Sequence, residues 1–295
     1  MRNLIVALLA WSMTFPAIAR TFDQVQATGY ISIAVYRDFP PYSYLENGVP
    51  KGIDIELGKR IADGLGVRPQ WFWVIADENL DDDLRNAVWK GHYLGGGVAD
   101  VMLRVPYSHE YAYMTDELGE IKNERVVMFG PYHQEGWTVA RRLTELPQLP
   151  NLAYFRYHNV GVEIDSVPDL TLTSALGGQL VSRVNHFTTT IAAIDALERQ
   201  EVSAVVGMRG QIEWRLQATD NAGASSLFAI SDDSLVQWSR RYWDIGMAVR
   251  QDHRQLAYAI EGLVDELIRN GAMASVFEQF HMSYQMPESY RVASQ

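Results

Sequence analysis

Residues 31–66, ISIAVYRDFPPYSYLENGVPKGIDIELGKRIADGLG, decide the fold. The β-branched start predicts a strand. Pro40 and Pro41, flanked by Phe39 and Tyr42, predict a turn, and Asn47-Gly48 is the usual signal of a two-residue hairpin. Behind Asp54, the apolar residues Leu57, Ile61 and Leu65 recur every fourth position and stop at Gly66. That spacing predicts an amphipathic helix with a glycine end. Strand, turn and helix in this order place Phe39 and Tyr42 just past the carboxyl end of a strand, where open α/β sheets hold small ligands.

The same alternation continues outward. A second strand is predicted at 69–74, and a helix behind Asp81, Asp82 and Asp83, whose charge suits a helix N-terminus. A glycine-rich bend at 95–97 leads to a short buried strand at 100–103. A new unit starts with a strand at 125–129 and continues with a strand at 159–162, a helix capped at 188–190 and a strand at 203–206. A strand at 244–249 precedes a long helix carrying Leu256, Ile260, Leu263, Val264 and Leu267, then a short one with Val276 and Phe280. Two blocks of alternating strand and helix predict an α/β protein of two lobes.

Composition narrows the function. A chain of 295 residues with 47% hydrophobic and 21% charged residues is globular. A net charge of −11 argues against non-specific nucleic-acid binding and against docking on an anionic membrane. Arg2, the apolar run 4–11 and Ala17-Ile18-Ala19 have the three parts of a cleavable signal peptide, residues 1–19. The apolar run is too short to span a bilayer. There is no cysteine, hence no disulfide framework, thiolate metal site, cysteine nucleophile or lipid-bearing cysteine. A bacterial periplasm is the expected location.

Taken together, Pro41-Tyr42, GIDIEL at 52–57, the block 185–206, DIGMAVR at 244–250 and the ending Asn270-Gly271 with Phe277 and Phe280 resemble the type 2 periplasmic solute-binding proteins, in the branch of amino-acid receptors of ABC transporters. The resemblance covers roughly 25–285. It implies two α/β lobes joined by two crossings, with lobe 1 at 22–120 plus 241–295 and lobe 2 at 121–240. It further implies a small-molecule ligand gripped between the lobes, no cofactor, an ABC permease as partner and a monomeric state.

Two departures from that branch stand out. Its receptors carry a Thr-x-x-Arg pattern whose arginine clamps the ligand carboxylate; the matching stretch here, VPYSHEY at 105–111, has no arginine. Their acid for the α-ammonium falls here on Gly207-Met208-Arg209. Without both keys, a standard α-amino acid is not the expected ligand. DVMLRVP at 100–106, with Trp71-Phe72-Trp73, also resembles the binding-protein-like component associated with periplasmic quinoprotein dehydrogenases, the MxaJ type. Ala99 and DELG at 116–119 depart from that subgroup. It implies an alternative role as an accessory factor to such a dehydrogenase.

Candidate ligand contacts are Tyr36, Phe39 and Tyr42 as aromatic surfaces, Arg104 as a positive charge, and Tyr107 and Ser108 on the loop beyond it. From the second lobe come Glu163, Asp165 and Ser166 after a strand, and Met208 and Arg209. Each has a plainer reading: Tyr42 packs the lobe, Arg104 pairs with an acid such as Glu110, and the acids at 163 and 165 cap the next segment. The seven histidines are scattered and there is no nucleophile elbow or phosphate loop, so neither a metal nor a catalytic site is expected. A dehydratase-like enzyme on the same fold is the second alternative.

Overall fold

The structure, a computed structural model, describes residues 19–115, 117–219, 227–231 and 241–292. Residues 1–18 of the expected signal peptide, 1–19, lie outside the described residues. A helix missed by periodicity comes first, α1 (Phe22–Thr28), set by a capping box between Thr21 and Gln24. β1 (Tyr30–Tyr36), the hairpin β2 (Tyr44–Glu46) and β3 (Val49–Lys51), and α2 (Ile53–Gly64) follow as their sequence predicts. Asn47 and Gly48 both take positive φ in the hairpin turn.

β4 (Arg68–Val74) lies parallel to β1 at the sheet edge. α3 (Leu80–Leu84) runs into one π-helical turn, Arg85–Trp89. Then come β5 (Val101–Tyr107) and the single turn α4 (His109–Ala112). The strand expected at 125–129 is much longer: β6 spans Val126–Arg142, 17 residues. Its length has a packing cause, because its first part pairs with β11 (Tyr242–Arg250) and its second with β9 (Ala204–Met208) and β10 (Phe228–Ser231). The second half is completed by β7 (Val160–Glu163), α5 (Val167–Gly178), β8 (Val184–Phe187), α6 (Thr190–Glu198) and α7 (Arg209–Thr219). The chain closes with α8 (Arg254–Arg269), α9 (Ala272–Glu278) and α10 (Glu288–Val292).

The main sheet runs β4-β1-β5-β11-β6-β9-β7-β8, with β10 also on β6. Each half buries both faces of its strands, which explains their near-continuous apolar runs. In the first half, Ile31, Ile33 and Val35 of β1 pack under α2, α8 and α9, while Ala34 and Met102 meet Leu84 and Val88 on the other face. In the second half, Val139, Val160 and Val206 face one way and Ala140 and Val205 the other. β6 therefore belongs to both cores, and the chain crosses between halves along β6 and β11.

Candidate functional site

β1 delivers its carboxyl end to the seam between the halves. The turn after it is tied by backbone bonds, Phe39 N–H to the Ser43 carbonyl at 2.8 Å and Ser43 N–H back to Phe39 at 3.0 Å. The start of α2 closes on this turn, since Ile53 and Asp54 donate to the Pro41 and Tyr42 carbonyls. Gly52 permits that approach: a Cβ there would sit 2.2 Å from the Tyr42 carbonyl oxygen, and its φ of +129° suits only glycine.

A chain of buried polar groups leads from α2 across the seam. Asp54 accepts from Arg104 Nε at 2.7 Å and from the Tyr132 hydroxyl at 2.9 Å. Tyr132 Oη in turn accepts the Arg104 backbone N–H at 3.1 Å. Arg104 takes a φ of +59°, where the register of β5 against β11 slips. Its guanidinium carbon lies 3.3 Å from the centre of the Tyr42 ring, a cation–π contact. The Tyr42 hydroxyl donates to Glu135 Oε2. Glu135 Oε1 accepts the backbone N–H of Gly136 at 3.0 Å and of Gly210, at the start of α7 in the other half, at 3.3 Å. Gly210 is needed at this crossing, because a Cβ would fall 2.2 Å from Tyr42 Oη.

The electrostatics follow from this wiring. Burial raises the Glu135 pKa, but His133, the Arg104 charge and the Tyr42 hydroxyl outweigh it and hold the carboxyl at about 2. Burial lowers the His133 pKa, and the Glu135 carboxylate 3.7 Å away opposes that shift. Burial also drives the Tyr42 and Tyr132 hydroxyls well above their ordinary value, keeping them donors.

Beside this network lies a cavity of about 280 Å³ bounded by both halves and the crossing strands. Tyr36, Phe39 and Trp243 give aromatic walls, Met208 enters from the second half, and Arg104 and Glu135 present the buried network. Asp77, Asn79, Leu80 and Asp83 form another side, with Pro106 and Ile245 completing the wall. Asp83 accepts one hydrogen bond on each oxygen, from the Tyr36 hydroxyl at 2.7 Å and the Asp77 N–H at 2.8 Å. Arg104 differs: its Nη2 is buried without any partner.

The structure thus brings Tyr36, Phe39, Arg104 and Met208 to one cavity and sends the other candidates elsewhere. Tyr42 is fully buried behind Arg104 and does not line the cavity. Arg104 pairs with Asp54, not Glu110. Tyr107 and Ser108 line a separate polar cavity with Gln134, Asp244 and Arg291, because β5 continues past the register slip and turns them away. Glu163 accepts from the Thr190 N–H and hydroxyl, both at 2.9 Å, and so caps α6. Ser166 is the N-cap of α5, and the Asp165 N–H is held by Asp169 at 3.0 Å. Arg209 pairs with Glu213 and reaches the Gln134 carbonyl. Asp77, Asp83, Glu135 and Trp243 escaped sequence reasoning; only the acidic run at 81–83 carried a visible signal, read as helix N-terminal charge. Among the described residues, no three histidine, aspartate or glutamate side chains are grouped to hold a metal.

Residues 31–86 match the family model of bacterial extracellular solute-binding proteins, family 3. Solved structures align over nearly the whole described chain. An ancestral cationic amino-acid solute-binding protein superposes with a TM-score of 0.66 at 15% identity, covering 88% of this chain and 99% of that one. The chain has the two-lobed fold of the type 2 periplasmic binding proteins. An amino-acid ABC transporter substrate-binding protein from Streptococcus pneumoniae, bound to L-arginine, gives 0.59 at 17% identity, covering 91% of this chain and 100% of its own. The solute receptor for L-cysteine of Neisseria gonorrhoeae gives 0.58 at 18%, covering 88% and 93%. No curated protein matches the sequence. No helix among the described residues is long and apolar enough to cross a membrane.

Proposed function

We propose that this is an exported solute-binding protein whose lobes, 22–120 with 241–295 and 121–240, close on a small neutral molecule. The observation that carries this reading is the cavity between the halves, walled by Tyr36, Phe39 and Trp243 and reached from the second half by Met208. Aromatic walls around a few fixed polar groups are the usual design of a small-molecule pocket. Arg104 supplies the free donor, so the ligand carries an acceptor such as a carbonyl or hydroxyl oxygen. The Arg104 charge is already balanced by Asp54, and Asp77, Asp83 and Glu135 add negative charge around the same space. A ligand carboxylate is therefore disfavoured, in keeping with the missing amino-acid keys at 105–111 and 207–209. Delivery of the closed form to an ABC permease is the role that fits an exported protein of this fold. Cleavage after Ala19 would place a new α-amino group on Arg20, whose backbone nitrogen lies 2.9 Å from the buried Asp100 carboxylate.

A thermal-shift screen tests the reading. Neutral cyclic and aromatic molecules bearing a carbonyl or hydroxyl are expected to raise Tm, by an amount that grows with concentration. The twenty standard amino acids are expected to leave it unchanged. A Tm raised by amino acids alone would overturn the ligand class, and no stabiliser in either set would overturn the binding role.

A further inference from the structure

The edge of the sheet at β4 offers a second binding surface, far in kind from the cavity between lobes. Among the described residues β4 pairs with β1 alone. Within it the Arg68 N–H bonds the Gly29 carbonyl at 3.0 Å, and the Val74 carbonyl accepts from Arg37 at 2.7 Å, so residues 68, 70, 72 and 74 point their backbone groups inward. The alternate residues, Pro69, Trp71 and Trp73, turn theirs to the open edge. Pro69 has no N–H to offer there, the usual place for proline in a sheet. Trp71 and Trp73 have both an N–H and a carbonyl.

Natural edges are commonly guarded by charge, by proline or by a covering element. Here Arg68 and Pro69 guard only the first residues, and 71–76 carry no charge. A cavity of about 590 Å³ follows this stretch, lined by every residue from 71 to 77 and walled opposite by His92, Gly95 and Gly96. A cavity on one face of a strand would meet every second residue. The unbroken run fits a groove along the edge, with Asn86 and Ala87 closing it on one face. Ile75, which lines it, is 75% accessible, and Tyr93 and Leu94, between its lining residues His92 and Gly95 in the chain, are 84% and 79% accessible.

Charge selects the occupant. Asp77 lines the groove, and Glu78, Asp81 and Asp82 follow it in sequence against Arg85 and Lys90, with Arg85 already paired with Asp82 at 2.6 Å. A second copy of this chain would bring the same acidic edge and the same net charge of −11. We infer that the β4 edge binds an extended segment of another protein in which lysine or arginine alternates with apolar residues, added to the sheet as a further strand. Such strand addition takes affinity from main-chain bonds and specificity from alternate side chains.

The test uses the full chain and three labelled ten-residue peptides: alternating lysine and valine, the same sequence N-methylated at every second residue, and alternating glutamate and valine. Fluorescence anisotropy is expected to show binding of the first peptide, at least about tenfold weaker binding of the N-methylated one, and none of the glutamate version. The exposed pair Ile75→Ser and Leu94→Ser should weaken the first peptide several-fold without changing Tm. Amide exchange should slow at Trp71 and Trp73 when it is bound. Equal binding of the methylated and unmethylated peptides, reflecting charge alone, would overturn the inference, as would no binding. A dimer in solution that itself protects Trp71 and Trp73 would also overturn it, by making a second copy the occupant.

Discussion

The turn after β1, residues 37–43, and the turn after β7, residues 164–166, occupy matching places in the two halves. Each leaves the carboxyl end of a parallel strand and each carries side chains suited to a ligand. The first sends Phe39 into the cavity and Tyr42 across the seam to Glu135. The second commits several of its polar groups to helix ends: Glu163 Oε2 caps α6, Ser166 caps α5 and Asp169 takes the Asp165 N–H. The difference is one of placement. Glu163 Oε2 and the Ser166 hydroxyl are engaged by helix ends away from the cavity, whereas Arg104 brings an unpartnered buried donor to it.

Substitutions break or sharpen that contrast, and the largest effect belongs to Arg104. Arg104→Met leaves Asp54 buried without its partner, which should cost about 3–5 kcal/mol in urea denaturation. The double variant with Asp54→Asn should recover part of that loss. Next comes acid. The Glu135 carboxyl is held at about 2 against an ordinary 4.5, so its contribution is full above 4.5 and is lost as pH falls toward 2. His133 is pushed below 6.5, so the folded state also loses stability as pH drops beneath that value. Unfolding free energy should therefore fall from about pH 6.5 downward, by on the order of 3 kcal/mol from Glu135 alone. Glu135→Gln should flatten the curve below pH 4.5; an unchanged slope there would separate Glu135 from acid stability.

Smaller effects probe the second turn. Ser166→Ala removes one helix cap and should cost about 1 kcal/mol, read as a lower urea midpoint, with ligand response intact. Phe39→Ala should show the reverse pattern, a modest stability change with most of the ligand-induced Tm shift gone. If Ser166→Ala abolished the ligand response, the division between the two turns would fail.

Much of the frame was legible because it rests on local signals: Asn47-Gly48 for the hairpin, the four-residue spacing of Leu57, Ile61 and Leu65 for α2, and Thr189 ahead of α6. The site was legible only in part. Tyr36 and Phe39 lie where strand-end reasoning places them, but Glu135 and Trp243 sit on crossing strands whose pairing joins residues about a hundred positions apart. No local pattern encodes that contact. The identity of Arg104's partner was hidden for the same reason, since Asp54 is 50 residues away and reads as ordinary acidic charge at a helix start. Glu163 misled in the opposite direction, because a capping acid and a ligand-facing acid look alike until the helix it caps is placed.

The most direct test is native mass spectrometry of the full chain, compared with Phe39→Ala and Ser166→Ala. Lobes that close on a solute predict a small-molecule adduct on the wild type and on Ser166→Ala, and its loss from Phe39→Ala. An adduct kept by Phe39→Ala and lost from Ser166→Ala would contradict the account, because it would move the site from the first turn to the second.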